Sequence, residues 1–216
     1  DYEIKSSYSA TVTATDGVNS ATQLIIVTVN NINDTNPVIT SNNSFTADEN
    51  QTAIGTVTAT DADGDDITFT VSGNELAITS AGVLTFSSAP DYEAKSSYSA
   101  TVTASDGTNS TTQDITVNVN NVNDNSPVIT SASSFTADEN QTAIGTVTAT
   151  DADSDDLTFT VSGNELSITS AGVLTFVSAP DYETKSSYSI TFTSNAATNP
   201  TTQNITGGVN NKNEKS

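Results

Sequence analysis

The chain of 216 residues carries 26 acidic side chains against 5 Lys and no Arg, for a formal charge of −21. That balance excludes nucleic acid and anionic membrane as natural partners, because both are bound through clustered Lys or Arg. There is no Cys, His, Trp or Met, so thiolate and imidazole metal sites are excluded, as is any nucleophilic triad that depends on His or Cys.

Without disulfides, each folding unit has to be stabilised by its core, by contact with its neighbours or by hard cations. The lack of Cys does not by itself identify a compartment. No apolar run approaches the ~20 residues of a membrane helix, and no signal peptide opens the chain. The sequence repeats with a period of 90 residues: Asp1-Tyr2-Glu3 returns as Asp91-Tyr92-Glu93 and Asp181-Tyr182-Glu183, and Asp61-Ala62-Asp63 returns as Asp151-Ala152-Asp153. So strict a period means tandem copies of one folding unit, and the function must be something an array does.

Residues 1–36 match the last third of a unit and supply two strands, so the chain begins in mid-repeat, as a fragment of a longer array would. Two complete units follow, 37–126 and 127–216. In the first, Val57 and Ala59 read as part of one strand, with Ile54 out of phase across Gly55 at a bulge. Ile67, Phe69 and Val71 alternate with Thr; Leu76 and Ile78 share a short strand. Tyr98, Ala100, Val102 and Ala104 alternate with Ser and Thr, and Ile115, Val117 and Val119 alternate with Thr116, Asn118 and Asn120. Turn signals separate the runs at Asp63-Gly64, Ser72-Gly73-Asn74, Ala81-Gly82 and Asp106-Gly107. About seven short strands in ~90 residues, with no helical period, predict an all-β chain of tandem immunoglobulin-like Greek-key β-sandwiches. In the last copy Val117 becomes Gly207 and Val122 becomes Lys212, which predicts a weaker final strand.

The carboxylates gather at Asp48/Glu49, at Asp61, Asp63, Asp65 and Asp66, at Asp91/Glu93, at Asp106 and near Asp124, in turns and at strand ends. Side chains at i and i+2 of extended backbone point the same way, so Asp61 with Asp63, and Asp91 with Glu93, can converge. Converging carboxylates repel unless a cation neutralises them, and Ca²⁺ takes 6–8 such oxygens in flexible geometry. A lone Asp-x-Asp is most simply a solubilising turn. Acidic positions fixed by a 90-residue repeat are better explained as ligands. Asp61-Ala62-Asp63-Gly64-Asp65 imitates the start of an EF-hand loop, but Asp66 and Ser72 stand where that loop needs Gly and Glu, and no helices flank it.

The unit resembles a cadherin repeat of the bacterial cadherin-like kind, over the whole chain and in family order. Ala47-Asp48-Glu49-Asn50 is similar to the family's Pro-Glu-Asn segment and Asp61-Ala62-Asp63 to its Asp-x-Asp. Asp91-Tyr92-Glu93 is similar to Asp-Arg-Glu, Ala104-Ser105-Asp106-Gly107 to the late single-Asp motif, and Asn121-Val122-Asn123-Asp124-Asn125-Ser126-Pro127 to the linker Asp-x-Asn-Asp-Asn-x-Pro. The resemblance implies Ca²⁺ ions between successive repeats, stiffening a rod. Carried over, Asp1, Glu3, Asn33 and Asp34 with Asp61, Asp63 and Asp106 would hold ions at the Pro37 junction. Glu49, Asp91, Glu93 and Asp124 with Asp151 and Asp153 would do so at Pro127, Asn123 giving its carbonyl and Asn125 its side-chain oxygen. The departures are Asn31 and Asn121 for the first linker Asp, Thr35 for the second linker Asn, Ala196 for the late Asp, and Asn211-Lys212-Asn213-Glu214 for the last linker. They predict one or two ions per junction instead of the family's three, with one fewer at Pro127 than at Pro37.

The reading that follows is of a non-enzymatic, calcium-rigidified stalk in an extracellular or cell-surface adhesin, mediating calcium-dependent cell adhesion. Two alternatives stay open. One is a module that binds surface polysaccharide or its own kind, for which Tyr2, Tyr8, Tyr92, Tyr98, Tyr182 and Tyr188 are the available aromatics. The other is a filament subunit in which identical chains complete the partial sandwich of residues 1–36 head to tail or by strand exchange.

Overall fold

A computed structural model describes residues 1–197 and 199–212. The regular structure of these residues is entirely β, and no helix among them is long and apolar enough to cross a membrane. The chain divides into two compact units, Asp1–Asn120 and Asn121–Ser216.

The first unit opens with a hairpin of β1 (Ser7–Thr15) and β2 (Ser20–Thr28), paired from Ser7↔Thr28 to Thr15↔Ser20. There follow β3 (Val38–Ile39), β4 (Ser44–Asp48), β5 (Ala53–Thr56), β6 (Ala59–Thr60), β7 (Thr68–Val71), β8 (Leu76–Ile78), β9 (Val83–Phe86), β10 (Ser97–Ser105) and β11 (Ser110–Asn120). Three sheets result, in the orders β4-β11-β10-β7, β5-β9-β8 and β3-β6. β4 lies parallel to β11 and the other pairings are antiparallel. The period-2 pattern sorts the faces: Val102, Ala104, Ile115, Val117 and Val119 turn inward and are buried, against Phe69, Leu76, Leu84 and Phe86. Each fully buried Val, Leu, Ile or Phe contributes about 1.5–3 kcal/mol.

The register does shift between Ala53 and Gly55. The single strand expected through Val57 and Ala59 is instead split, with β5 on β9 and β6 on β3. Val57 sits buried between them, its N–H donating to the Gly82 carbonyl at 2.8 Å. Strands β3, β4 and β9 give little alternation because each is short, with two or three apolar residues.

Gly82 is required by its backbone: φ is +85°, and a Cβ there would lie 2.2 Å from the Val57 carbonyl oxygen. Gly82→Ala should destabilise the first unit by about 2–3 kcal/mol, from left-handed strain together with displacement of that hydrogen-bonded crossing. Thermal unfolding followed by circular dichroism checks this, and an unchanged midpoint would contradict it.

In the β1–β2 hairpin every residue is exposed. Val12 is 49% exposed, whereas Val102, one repeat later, is 0% exposed, because β10 and β11 are flanked by β7 and β4 and face a second sheet.

The second unit repeats the plan with β12 (Val128–Ile129), β13 (Ser134–Asp138), β14 (Ala143–Thr146), β15 (Ala149–Thr150), β16 (Thr158–Val161), β17 (Leu166–Ile168), β18 (Val173–Phe176), β19 (Ser187–Ala196) and β20 (Asn199–Asn210). Its sheets run β13-β20-β19-β16, β14-β18-β17 and β12-β15. Despite Gly207, β20 forms along its length, with Gly207 opposite Tyr188. Ile190 and Phe192 replace the smaller Ala100 and Val102, and Phe192 stacks on Phe159 at 5.5 Å, adding apolar volume to the core of this unit. Asn213 and Glu214 of the divergent last linker lie outside the described residues.

Candidate cation sites

Within the first unit, the stretch 31–35 folds onto the loop that follows β6. The backbone makes most of these contacts. Asp63 Oδ2 accepts the N–H groups of Asp34 at 3.1 Å and Thr35 at 2.8 Å, and Asn31 Nδ2 donates to the Asp63 carbonyl at 2.8 Å. Asn31, which stands where the resembled motif has Asp, therefore works as a strap between linker and loop. A carboxylate has no N–H to donate to that carbonyl. On the far side Asp106 Oδ1 accepts the amides of Thr108 and Asn109, while Asn109 Nδ2 reaches Asn33 Oδ1 at 2.7 Å.

The convergence of Asp61 and Asp63 arises differently from the extended-backbone expectation. The loop is a turn with Gly64 at φ +81°, and the Asp63 N–H donates to Asp61 Oδ1 at 2.9 Å. This local side-chain-to-backbone bond brings a third acid, Asp65, into the group: Asp61, Asp63 and Asp65 each offer an oxygen within 4.8 Å of the others. Glu3, Asp34 and Asp63 form a second such group. Asp61 Oδ2 and Asp63 Oδ1 are fully buried with no hydrogen-bond partner. A buried carboxylate oxygen left unpartnered is costly, and a divalent cation is the partner that suits a carboxylate set lacking N–H donors.

The electrostatics agree. Burial, and after it the charges of Asp61, Asp63, Asp106 and Asp66, push the Asp65 carboxyl above its ordinary range. The Thr35 N–H chiefly holds Asp63 below it. At Asp106 desolvation acts upward but is outweighed by the hydrogen bonds from Asn109 and Thr108, leaving it lowered. Among the described residues the Lys side chains are engaged elsewhere: Lys95 with Glu75 at 2.5 Å, Lys185 with Glu165 at 2.6 Å, Lys212 with Asp138 at 3.0 Å, and Lys5 over the Tyr8 ring at 4.5 Å.

The second unit builds the same device. Asn121 Nδ2 donates to the Asp153 carbonyl at 2.9 Å, and the Asp124 and Asn125 amides donate to Asp153 Oδ2 at 3.1 and 2.8 Å. Asp151, Asp153 and Asp155 converge, with Asp151 Oδ2 and Asp155 Oδ2 buried and unpartnered. Asn123 is tied to the hairpin turn through Asn199 Nδ2, 2.8 Å from its Oδ1.

The remaining acids lie on the Asp-Tyr-Glu turns. Residues 91–95 are a turn and not extended, closed by the Lys95 N–H to the Asp91 carbonyl at 2.9 Å, with Asp91 Oδ1 accepting from Ala94. Glu49, buried at the end of β4, accepts the Tyr92 N–H at 2.8 Å, which holds the turn carrying Asp91 and Glu93. Asp1 Oδ1 similarly accepts the Glu3 amide. In the second unit Glu139, Asp181 and Glu183 converge, and Thr184 Oγ1 chiefly lowers the Asp181 carboxyl. Each turn is clamped by its Lys, which lies over Tyr98 at 4.4 Å or Tyr188 at 4.3 Å, those rings meeting Phe86 and Phe176 edge-on. Tyr98 and Tyr188 are thus half-buried packing rings, whereas Tyr2, Tyr8 and Tyr182 are exposed.

Asp65, Asp155, Glu139, Asp181 and Glu183 were not among the ligands read from sequence. The 90-residue repeat signals the last three through Glu49, Asp91 and Glu93. The Asp61-x-Asp63-x-Asp65 alternation signals the other two.

The family model described as bacterial Ig domain matches residues 33–120. The human protein Cadherin EGF LAG seven-pass G-type receptor 2 is 31% identical over 198 residues, covering 81% of this chain and 7% of its own length. Mouse Protocadherin Fat 4 is 37% identical over 139 residues, 56% of this chain and 3% of its length. The chain thus spans a small fraction of these relatives. Among solved structures, the protocadherin gammaB7 EC3-6 cis-dimer superposes with a TM-score of 0.78 at 22% identity, over 97% of this chain and 59% of that one. Mouse cadherin-23 EC22-24 gives a TM-score of 0.71 at 25% identity, over 97% and 76%.

Proposed function

The chain is an array of cadherin-like repeats, and from that premise we propose that it is a non-catalytic, calcium-stiffened segment of an extracellular adhesin. The observation that carries the metal reading is the pair of buried, unpartnered carboxylate oxygens, Asp61 Oδ2 and Asp63 Oδ1, beside a linker already docked through its backbone amides. Glu3, Asp34, Asp61, Asp63, Asp65 and Asp106 would supply the oxygens, and the ion would supply the positive charge that this acid-rich loop lacks. Stiffening follows because Glu3 and Asp34 precede the complete repeat while the other four lie within it. An ion held by both groups restricts the linker between them.

Extracellular calcium modules bind in the range of about 10⁻⁴–10⁻³ M, so the segment would be rigid outside cells and loose at cytosolic calcium. The experiment is a calcium titration of the full chain, followed by melting temperature and by hydrogen exchange of the 31–35 amides. At roughly 100 times the dissociation constant one site adds about 2.7 kcal/mol, a rise of about 10–15 °C for a unit of this size. The linker amides should slow in parallel, and chelator should reverse both. An unchanged melting temperature and unchanged exchange at 10 mM calcium would end the metal reading.

A further inference from the structure

From the replacements in the β1–β2 hairpin we infer that its outward face is a contact surface for a second copy of this chain. This goes beyond the metal reading and does not depend on it. The hairpin aligns without a gap on β10–β11, one repeat later. Its inward side is kept: Ala10, Val12, Ala14, Ile25 and Val27 stand for Ala100, Val102, Ala104, Ile115 and Val117. The outward side of β1 is kept too, with Ser7, Ser9, Thr11 and Thr13 for Ser97, Ser99, Thr101 and Thr103. The outward side of β2 is not. Leu24 replaces Asp114, and Ile26 replaces Thr116.

In both complete repeats the position of Leu24 is polar and bonded across the hairpin. Thr101 Oγ1 donates to Asp114 Oδ1 at 2.7 Å, and Thr191 Oγ1 donates to Asn204 Oδ1 at 2.9 Å. Thr11 faces Leu24 in the same register, and a Leu side chain has no oxygen to accept. Ile26 lies two residues on, on the same side, so the two form one apolar stripe. Both are exposed. A completed sandwich does not cover these positions: Asp114, Asn204 and Thr206 are exposed in theirs, and Thr116 is half-buried. Strand propensity does not account for the exchange at 26, since Thr and Ile are both strand formers.

The charge identifies the partner. Removing a carboxylate weakens attraction for a basic surface and relieves repulsion of an acidic one. A second copy, itself at −21, is an acidic partner. Strands β1 and β2 carry no charged side chain, and Asp16 lies in the turn between them. Two chains can meet here without pressing carboxylates together, and a two-fold contact sets the same stripe of each against the other. Each face, two strands of 9 residues, measures about 30 Å by about 10 Å. A pair of faces buries about 600 Å², less than the roughly 1,200–2,000 Å² of stable interfaces. The pairing is therefore weak and reversible.

The test is sedimentation velocity of the full chain in chelator, over a range of chain concentrations and at low and high salt. The parent should self-associate, more strongly in high salt, because salt screens the repulsion of the acidic chains and leaves the apolar contact. Leu24→Asp with Ile26→Thr gives β2 the residues that β11 already carries in the same register, so the hairpin is preserved. It should weaken association about tenfold or more. Asp114→Leu with Thr116→Ile builds a second stripe and should strengthen association. Ile25→Thr alters the inward face and should leave association unchanged. A parent that stays monomeric at every concentration overturns the inference. So does association that survives Leu24→Asp with Ile26→Thr but is lost in Ile25→Thr, which would place the contact on the inward face. Calcium takes no part in these measurements, so the metal reading stands or falls separately.

Discussion

Asp63→Ala should weaken calcium at the first unit's linker by about 10- to 100-fold and erase most of the calcium-dependent rise in melting temperature there. Asp63 has two tasks that one substitution removes together. Its Oδ2 receives the amides of Asp34 and Thr35, and its Oδ1 is one of the buried oxygens without a partner. Loss of a charged ligand lowers calcium affinity directly. Loss of the anchor for the linker amides removes the orientation of the remaining oxygens, an outer contribution that alone reaches about 10–100-fold in metal sites. Asp63→Asn separates the tasks, since its carbonyl oxygen can still accept the two amides while the charge is gone. It should keep the slow exchange of the 34 and 35 amides in chelator but lose calcium affinity. Equal calcium affinity in Asp63→Ala and the parent would remove this loop from the site.

Leu84→Ala should cost the first unit about 3–4 kcal/mol, a fall in melting temperature of about 10–20 °C. Leu84 is 0% exposed on β9, with Gly55 of β5 and Ile78 of β8 as its register partners. The edge glycine and the short flanking strands leave little side-chain mass to collapse into the cavity, which places the cost in the upper part of the range for such deletions. Leu24→Ala provides the contrast: Leu24 is 61% exposed on β2, and its loss should stay within about 0.5 kcal/mol. Denaturant unfolding of both variants decides the matter, and similar losses from the two would contradict the sandwich core described above.

The fold was legible where strands are long enough to alternate. Tyr98 to Ala104 and Ile115 to Val119 announce β10 and β11, and Ile54 out of phase announces the shift at Gly55. Strands β3, β4 and β9 were not legible, because two or three apolar residues cannot establish a period of two. The division of Val57 and Ala59 between sheets was not legible either, because a change of partner leaves no mark on a continuous run.

The sequence by itself determined the repeat, the all-β class and the acids available for metal, since a strict 90-residue period and a chain without Cys or His leave few alternatives. Only the tertiary structure decided how those acids are used. Asn31 and Asn121 read as lost ligands until their carboxamides are seen holding the carbonyls of Asp63 and Asp153. Asp65 and Asp155 join their groups because Asp63 and Asp153 each fold an N–H back onto the preceding Asp. The Asn straps depend on where backbone about thirty residues away falls, and the Asp bonds on the turn each loop adopts; residue type alone specifies neither.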